Sequence, residues 1–99
     1  MKKNKINIAK NIIKLESDSL KNMIKKINAH FDKACDAILS CEGKVVTIGL
    51  GKSGHIAAKA SATLSSTGTP SMYIHGADCL HGDIGAIKRE DIIIFFSNS

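Results

Sequence analysis

The sequence has no tryptophan, one tyrosine, three phenylalanines and three cysteines, and no apolar run near the ~20 residues that a membrane-spanning helix needs. Each shortage removes a class of protein. Without a long apolar run, no membrane association is expected. The opening MKKNKINIAKNIIKLESD is basic, but Asn, Lys, Glu and Asp interrupt the apolar segment that a secretory signal peptide requires, so the expected location is the cytoplasm. Cys35, Cys41 and Cys79 are odd in number and show no C-x-x-C spacing. They are expected to be small, buried, reduced thiols rather than a disulfide framework. Aromatic residues do not interleave the lysines. Residues 1–33 carry nine lysines against Glu16, Asp18 and Asp32, whereas residues 34–99 hold five basic and six acidic residues. The net charge of +5 therefore belongs to the first third of the chain, where lysines scattered among Ile and Asn describe a solvated helix face. No nucleic-acid partner is expected.

At 99 residues the chain is one domain at most, near the lower limit for an α/β core buried on both faces of a sheet. From about Ile8 to Ile27, Ile12, Ile13, Leu20, Met23, Ile24 and Ile27 recur largely at three- and four-residue intervals, which predicts a long amphipathic helix whose apolar stripe must be covered. A second helix is expected from Ala29 to Ser40, ended by Glu42-Gly43. The period then changes. KVVTIGL reads as a buried parallel strand, GHIAAKASATLSS as a helix rich in small residues, PSMYIH as a second strand, GADCLHGDIGAIKRE as a loop with one helical turn, and DIIIFF as a third strand running into SNS. This order is the first half of a doubly wound parallel sheet, after which the chain stops on what reads as a loop.

The stretch VVTIGLGKSGHIAAK, residues 45–59, invites two nucleotide readings. Gly49, Gly51 and Gly54 have G-x-G-x-x-G spacing, and Gly51-Lys52-Ser53 ends like a P-loop. A Walker loop needs glycine at position 46, where Val46 stands inside the strand. A dinucleotide fold wants an acidic residue about 20 positions on, at the end of the second strand. That strand ends in His75, and Asp78 lies further out. The first reading is disfavoured and the second excluded, and what remains is the physics they share: open backbone amides and a positive helix end that favour an anion. Gly51, Ser53 and Gly54 are candidate phosphate contacts, with a tight structural turn as the alternative. Lys52 adds a point charge able to stabilise a developing oxyanion.

In an open sheet of order 2-1-3, ligands bind above the carboxyl ends of strands 1 and 3. Gly51–Gly54 follows strand 1 and Ser97-Asn98-Ser99 follows strand 3. Hydroxyls of Ser53, Ser97 and Ser99 could then converge on one phosphate without a metal. Taken alone, the SNS segment reads as a turn; paired with the glycine loop it reads as a site. A metal cage of His75, Asp78, Cys79 and His81 is conceivable from ligand types only, and no cofactor is expected. His30 and His55 are expected in structural or surface positions, and His75 as a strand-end packing residue.

Residues 45–99 resemble the opening of a sugar isomerase (SIS) domain. Within that superfamily they are similar to the arabinose 5-phosphate isomerases, whose pattern runs G-K-S-G-H-I, S-T-G-T-P, H-P-x-E-A-x-H-G-D-L-G and S-N-S-G-E. The match covers about Phe31 to Ser99. It implies a three-layer, doubly wound, flavodoxin-like α/β fold, with residues 31–99 as its N-terminal part and residues 1–30 as a preceding helix. It also implies interconversion of arabinose 5-phosphate and ribulose 5-phosphate towards Kdo, a sugar of lipopolysaccharide and some capsules, and a homotetramer that would cover the first helix. By position, Lys52 matches the family's active-site lysine. Ser53, Ser97 and Ser99, with Gly51, Gly54 and Asn98, match the sugar-phosphate site. His81 matches a histidine that lies by the sugar and binds a metal in some relatives; from the residues alone, a loop-ordering hydrogen bond is open too. Where the pattern has H-P-x-E-A, this chain has His75-Gly76-Ala77-Asp78-Cys79, without the stiff proline and with a shorter carboxylate. The family's remaining acid–base candidates lie past Ser99, so the chain is expected to be a fragment that is inactive alone. Because SIS domains also serve as ligand-binding parts of transcription regulators, a sugar-phosphate sensor is the alternative, although no helix-turn-helix fits ahead of Phe31. A remnant that binds nothing is a third.

Overall fold

The structure, a computed structural model, describes residues 4–79 and 81–97. The described residues divide into two units, one ending at Ala34 and one beginning at Cys35. In chain order the elements are α1 (Lys5–Ile24), α2 (Ala29–Leu39), β1 (Val45–Gly49), α3 (Gly51–Ser66), β2 (Ser71–His75), α4 (Gly76–Cys79), a 3-10 turn (Asp83–Ala86) and β3 (Ile92–Phe96).

Helix α1 starts three residues earlier than the apolar spacing predicts. Asn4 caps it, its Oδ1 accepting from the amides of Ile6 at 2.9 Å and Asn7 at 3.4 Å. Asn28 does the same for α2, accepting from His30 N–H at 2.9 Å, which separates two helices that periodicity alone could have joined. No residue of α1 is buried, and Ile12, Ile13, Leu20, Met23 and Ile24 are exposed.

The sheet is parallel, in the order β2-β1-β3. Strand β1 pairs on both sides, Val45 with Ser71 and Ile92, Gly49 with His75 and Phe96, and every one of its residues is buried. That explains its unbroken β-branched run: a central parallel strand is apolar on both faces. Side chains alternate along a strand, so Val46 and Ile48 point to one face with Met72 and Ile74, while Thr47 points to the other. The first face packs with Cys79 and Ile87 from the β2–β3 connection. The second meets α3, where the buried Thr47 hydroxyl donates to the Ala57 carbonyl at 2.7 Å. Chain therefore covers both faces of the sheet. The buried Ser61 hydroxyl lies 2.9 Å from that of Ser71, which also reaches the Val45 carbonyl at 2.7 Å. Among the described residues, no buried side-chain polar atom lacks a partner.

The base of the sheet is tied by Asp91, whose side chain is only 2% exposed. It accepts from Lys44 Nζ at 2.8 Å, from Lys44 N–H at 2.9 Å and from Lys88 N–H at 2.7 Å. Lys44 Nζ also donates to the Ala86 carbonyl at 3.1 Å. These bonds, led by the Lys44 side chain, lower the Asp91 pKa from 3.8 to about 2.

The expectation of buried cysteines needs correcting. Cys35, Cys41 and Cys79 are free thiols, but all three are half-buried, because they sit on α2, in the loop before β1 and at the end of α4 rather than within the sheet.

Candidate functional site

One residue, Leu50, joins β1 to α3. Gly51 opens the helix at φ +53°, with nothing near its missing Cβ, so it is conformation that selects glycine there. Gly49 and Gly54 answer to space instead. A Cβ on Gly49 would lie 2.7 Å from the Ser53 carbonyl oxygen, and one on Gly54 would lie 2.8 Å from the Tyr73 hydroxyl and 3.1 Å from Gly49 O. The G-x-G-x-x-G spacing is thus one turn glycine between two close-packing glycines. Helix α3 begins at Gly51, three residues before the predicted Gly54, which places Lys52 and Ser53 in its first turn rather than in a loop. Its N-cap, Leu50, makes no side-chain cap bond, so the first-turn amides are left for solvent or a ligand at the positive helix end.

Above the carboxyl ends of β1 and β3 lies a cleft of about 610 Å³. Ile48, Gly49, Leu50, Lys52 and Ser53 line it from the β1–α3 side, Gly76 and Cys79 from α4, and Phe95, Phe96 and Ser97 from the end of β3. The connections of β1 run to β2 on one side and the chain returns through β3 on the other, so this cleft is the switch point of the sheet. Its floor is apolar, and its polar groups are an ammonium, two hydroxyls, the Cys79 thiol and the helix amides. Among the described lining residues that is a donor set without a carboxylate, suited to an anion.

Lys52, Ser53 and Ser97 are therefore brought to one cleft from two strand ends. Gly51 lies between two lining residues, whereas Gly54 is buried behind the turn, against Gly49 and Tyr73. Asn98 and Ser99 lie outside the described residues. His81 is exposed beyond α4, its amide donating to the Asp78 carbonyl at 3.0 Å, and it is not among the lining residues. Among the described residues, no three His, Cys, Asp or Glu side chains gather as metal ligands. Sequence reasoning missed Leu50, Phe95 and Phe96, and named Cys79 only as a conceivable metal ligand. For Leu50 the signal was present, because an apolar residue between Gly49 and Gly51 at a strand end has no core to enter, and it is 60% exposed.

A doubly wound sheet with this turn at its switch point defines the class, and the chain belongs to the SIS domain family, which matches residues 38–99. Individual relatives narrow the comparison. The chain is 45% identical over 94 residues to the arabinose 5-phosphate isomerase KdsD of Pseudomonas aeruginosa, a match that takes in 95% of this chain and 29% of that protein. It is 46% identical over 90 residues to KdsD of Yersinia pestis, covering 91% of this chain and 27% of that protein. Among solved structures, an Escherichia coli CFT073 protein in complex with arabinose 5-phosphate superposes with a TM-score of 0.80 at 40% identity, over 98% of this chain and 53% of the other. The chain thus spans less than a third of the length of those curated relatives and about half of that solved chain.

Proposed function

We propose that this chain supplies the sugar-phosphate-binding half of an arabinose 5-phosphate isomerase active site, acting on the aldose–ketose pair arabinose 5-phosphate and ribulose 5-phosphate on the route to Kdo. The observation that carries the reading is the meeting of Lys52 and Ser53, at an uncapped helix start, with Ser97 in one cleft. In this reading the first-turn amides and the hydroxyls of Ser53 and Ser97 hold the phosphate, with Asn98 and Ser99 extending the same site. Lys52 stands where negative charge gathers as a proton moves between C2 and C1 through an enediolate. His81, in the segment after α4, is assigned to the sugar end of the same site. The likeness to KdsD proteins and to a structure holding arabinose 5-phosphate supports the substrate class. The exposed apolar residues of α1 support self-association as a homo-oligomer, and a cytoplasmic setting fits phosphorylated sugars and free thiols. No helix among the described residues is long and apolar enough to cross a membrane.

The test is a thermal melt of the chain with arabinose 5-phosphate, beside unphosphorylated arabinose. A ligand at a hundred times its Kd raises the melting temperature of a domain this size by roughly 10–20 °C. The phosphorylated sugar is expected to produce that rise and arabinose none; no rise with either refutes the assignment.

A further inference from the structure

Outside the cleft-lining residues, one side chain has an unusual local partner. His75 ends β2, and α4 starts at the next residue with no loop between them. The His75 ring accepts the Ala77 amide through Nδ1 at 3.1 Å, the bond across two residues that an Asn or Asp side chain makes in an Asx-turn. A neutral ring accepting at Nδ1 carries its proton on Nε2. In a helix of four residues, the amide so held is one of the roughly four N–H groups that have no partner within the helix. Helix α4 is a wall of the cleft, through Gly76 and Cys79. Gly76 lies so close to Leu50 that a Cβ would sit 2.7 Å from Leu50 Cγ, and Cys79 packs on the core cluster of Val46, Ile48 and Ile74. A shift of α4 therefore moves Gly76 against Leu50, the residue that leads into Lys52 and Ser53. Glycine at 76 has the freest backbone of any residue, so the entry to α4 depends on a side-chain restraint.

We propose that His75 is a positioning residue for the cleft: as the Nε2–H tautomer it clamps the Ala77 amide, fixes α4 and through Gly76 sets Leu50 and the first turn of α3. Its consequence for ligand binding rests on the sugar-phosphate reading above.

The test compares His75→Asn, whose Oδ1 falls near the place of Nδ1, with His75→Gln, whose oxygen falls near Nε2, and with His75→Ala. Nuclear magnetic resonance spectra of the 99-residue chain report the ring tautomer, exchange protection of the Ala77 amide and the Leu50 methyl shifts. Titration calorimetry reports the affinity for arabinose 5-phosphate. The expected result is an Nε2–H ring, Ala77 protection kept in His75→Asn and lost in the other two, and affinity weakened about five-fold in His75→Gln and His75→Ala but unchanged in His75→Asn. An Nδ1–H ring, or an unprotected Ala77 amide in the unsubstituted chain, overturns the proposal. Rescue by Gln instead of Asn overturns it in favour of direct ligand contact by Nε2, and equal affinity in all variants overturns it as well. If the unsubstituted chain binds no sugar phosphate, the substrate reading fails separately, and Leu50 shifts that stay still in His75→Gln then overturn the clamp.

Discussion

Lys52 and Ser97 line one cleft, and in the reading proposed above Lys52 serves the chemistry and Ser97 the binding, so substitutions at them should separate the two. Lys52 is an exposed first-turn residue with no core packing to lose. In a polypeptide extended to the length of the relatives, Lys52→Ala is expected to abolish isomerisation in a coupled assay while leaving the melting temperature unchanged. Ser97→Ala should instead weaken arabinose 5-phosphate binding by about 1.5–3 kcal/mol, the worth of one hydrogen bond to a charged group, measured by calorimetry. Asp91 belongs to stability rather than to the site. Its folded pKa of about 2 lies below the unfolded 3.8, so the unfolded chain binds more protons in that window and stability rises with pH there. The contribution is complete above about pH 4 and is lost as pH falls towards about 2. Melts of Asp91→Asn should show a flatter acid limb between those values than the unsubstituted chain. Lys52, Ser53 and Ser97 were legible as site candidates because strand-end positions beside glycines leave few other roles. Asp91 was not legible, because its partner Lys44 is 47 residues away and no local pattern records such a pair.

Among the elements, β1 and α3 decide whether the cleft exists. Their junction leaves no room at Gly49, where a Cβ would meet the Ser53 carbonyl at 2.7 Å and the Gly54 amide at 2.9 Å. Gly49→Ala must push the start of α3 off the strand. It should lower the melting temperature and weaken phosphate binding together, whereas Gly51→Ala, strained by φ rather than by contact, should act through the turn alone. Both are checked by melts with and without arabinose 5-phosphate. All three strands and the order β2-β1-β3 were legible from the change of period at Lys44 and from Gly49, Pro70 and the DIIIFF run. Boundaries were less so. Helix α3 gained a turn because Gly51, Lys52 and Ser53 read as a loop by composition while their backbone is helical. The start of α1 at Lys5 depends on an Asn4 cap that hydrophobic spacing does not reveal. The segment after β2 reads as a loop with one helical turn, whereas the structure has two, α4 and the 3-10 turn, each too short to show a period.

For the whole molecule, the cleft holds an ammonium and hydroxyls but no carboxylate among its described lining residues. Assayed alone with arabinose 5-phosphate, the 99-residue polypeptide is expected to bind without forming ribulose 5-phosphate; turnover that a Lys52→Ala control lacks would place the base within these residues, with His81, Asp78 and Asp83 the first to test. Strand β3 pairs only with β1 among the described residues, and Ile93 and Phe95 are exposed on it, so the isolated product should also be marginally soluble. The double pairing of β1 has a further consequence, in time rather than in space. Its second partner begins at Ile92, just after Asp91, so at synthesis rates of about 5–20 residues per second the central strand leaves the ribosome roughly 2–10 seconds before the chain that completes it. During that interval an unbroken β-branched segment has at least one edge unclaimed, and both until Ser71 to His75 are made, so the hazard of wrong pairing in the cell depends on the pace of translation.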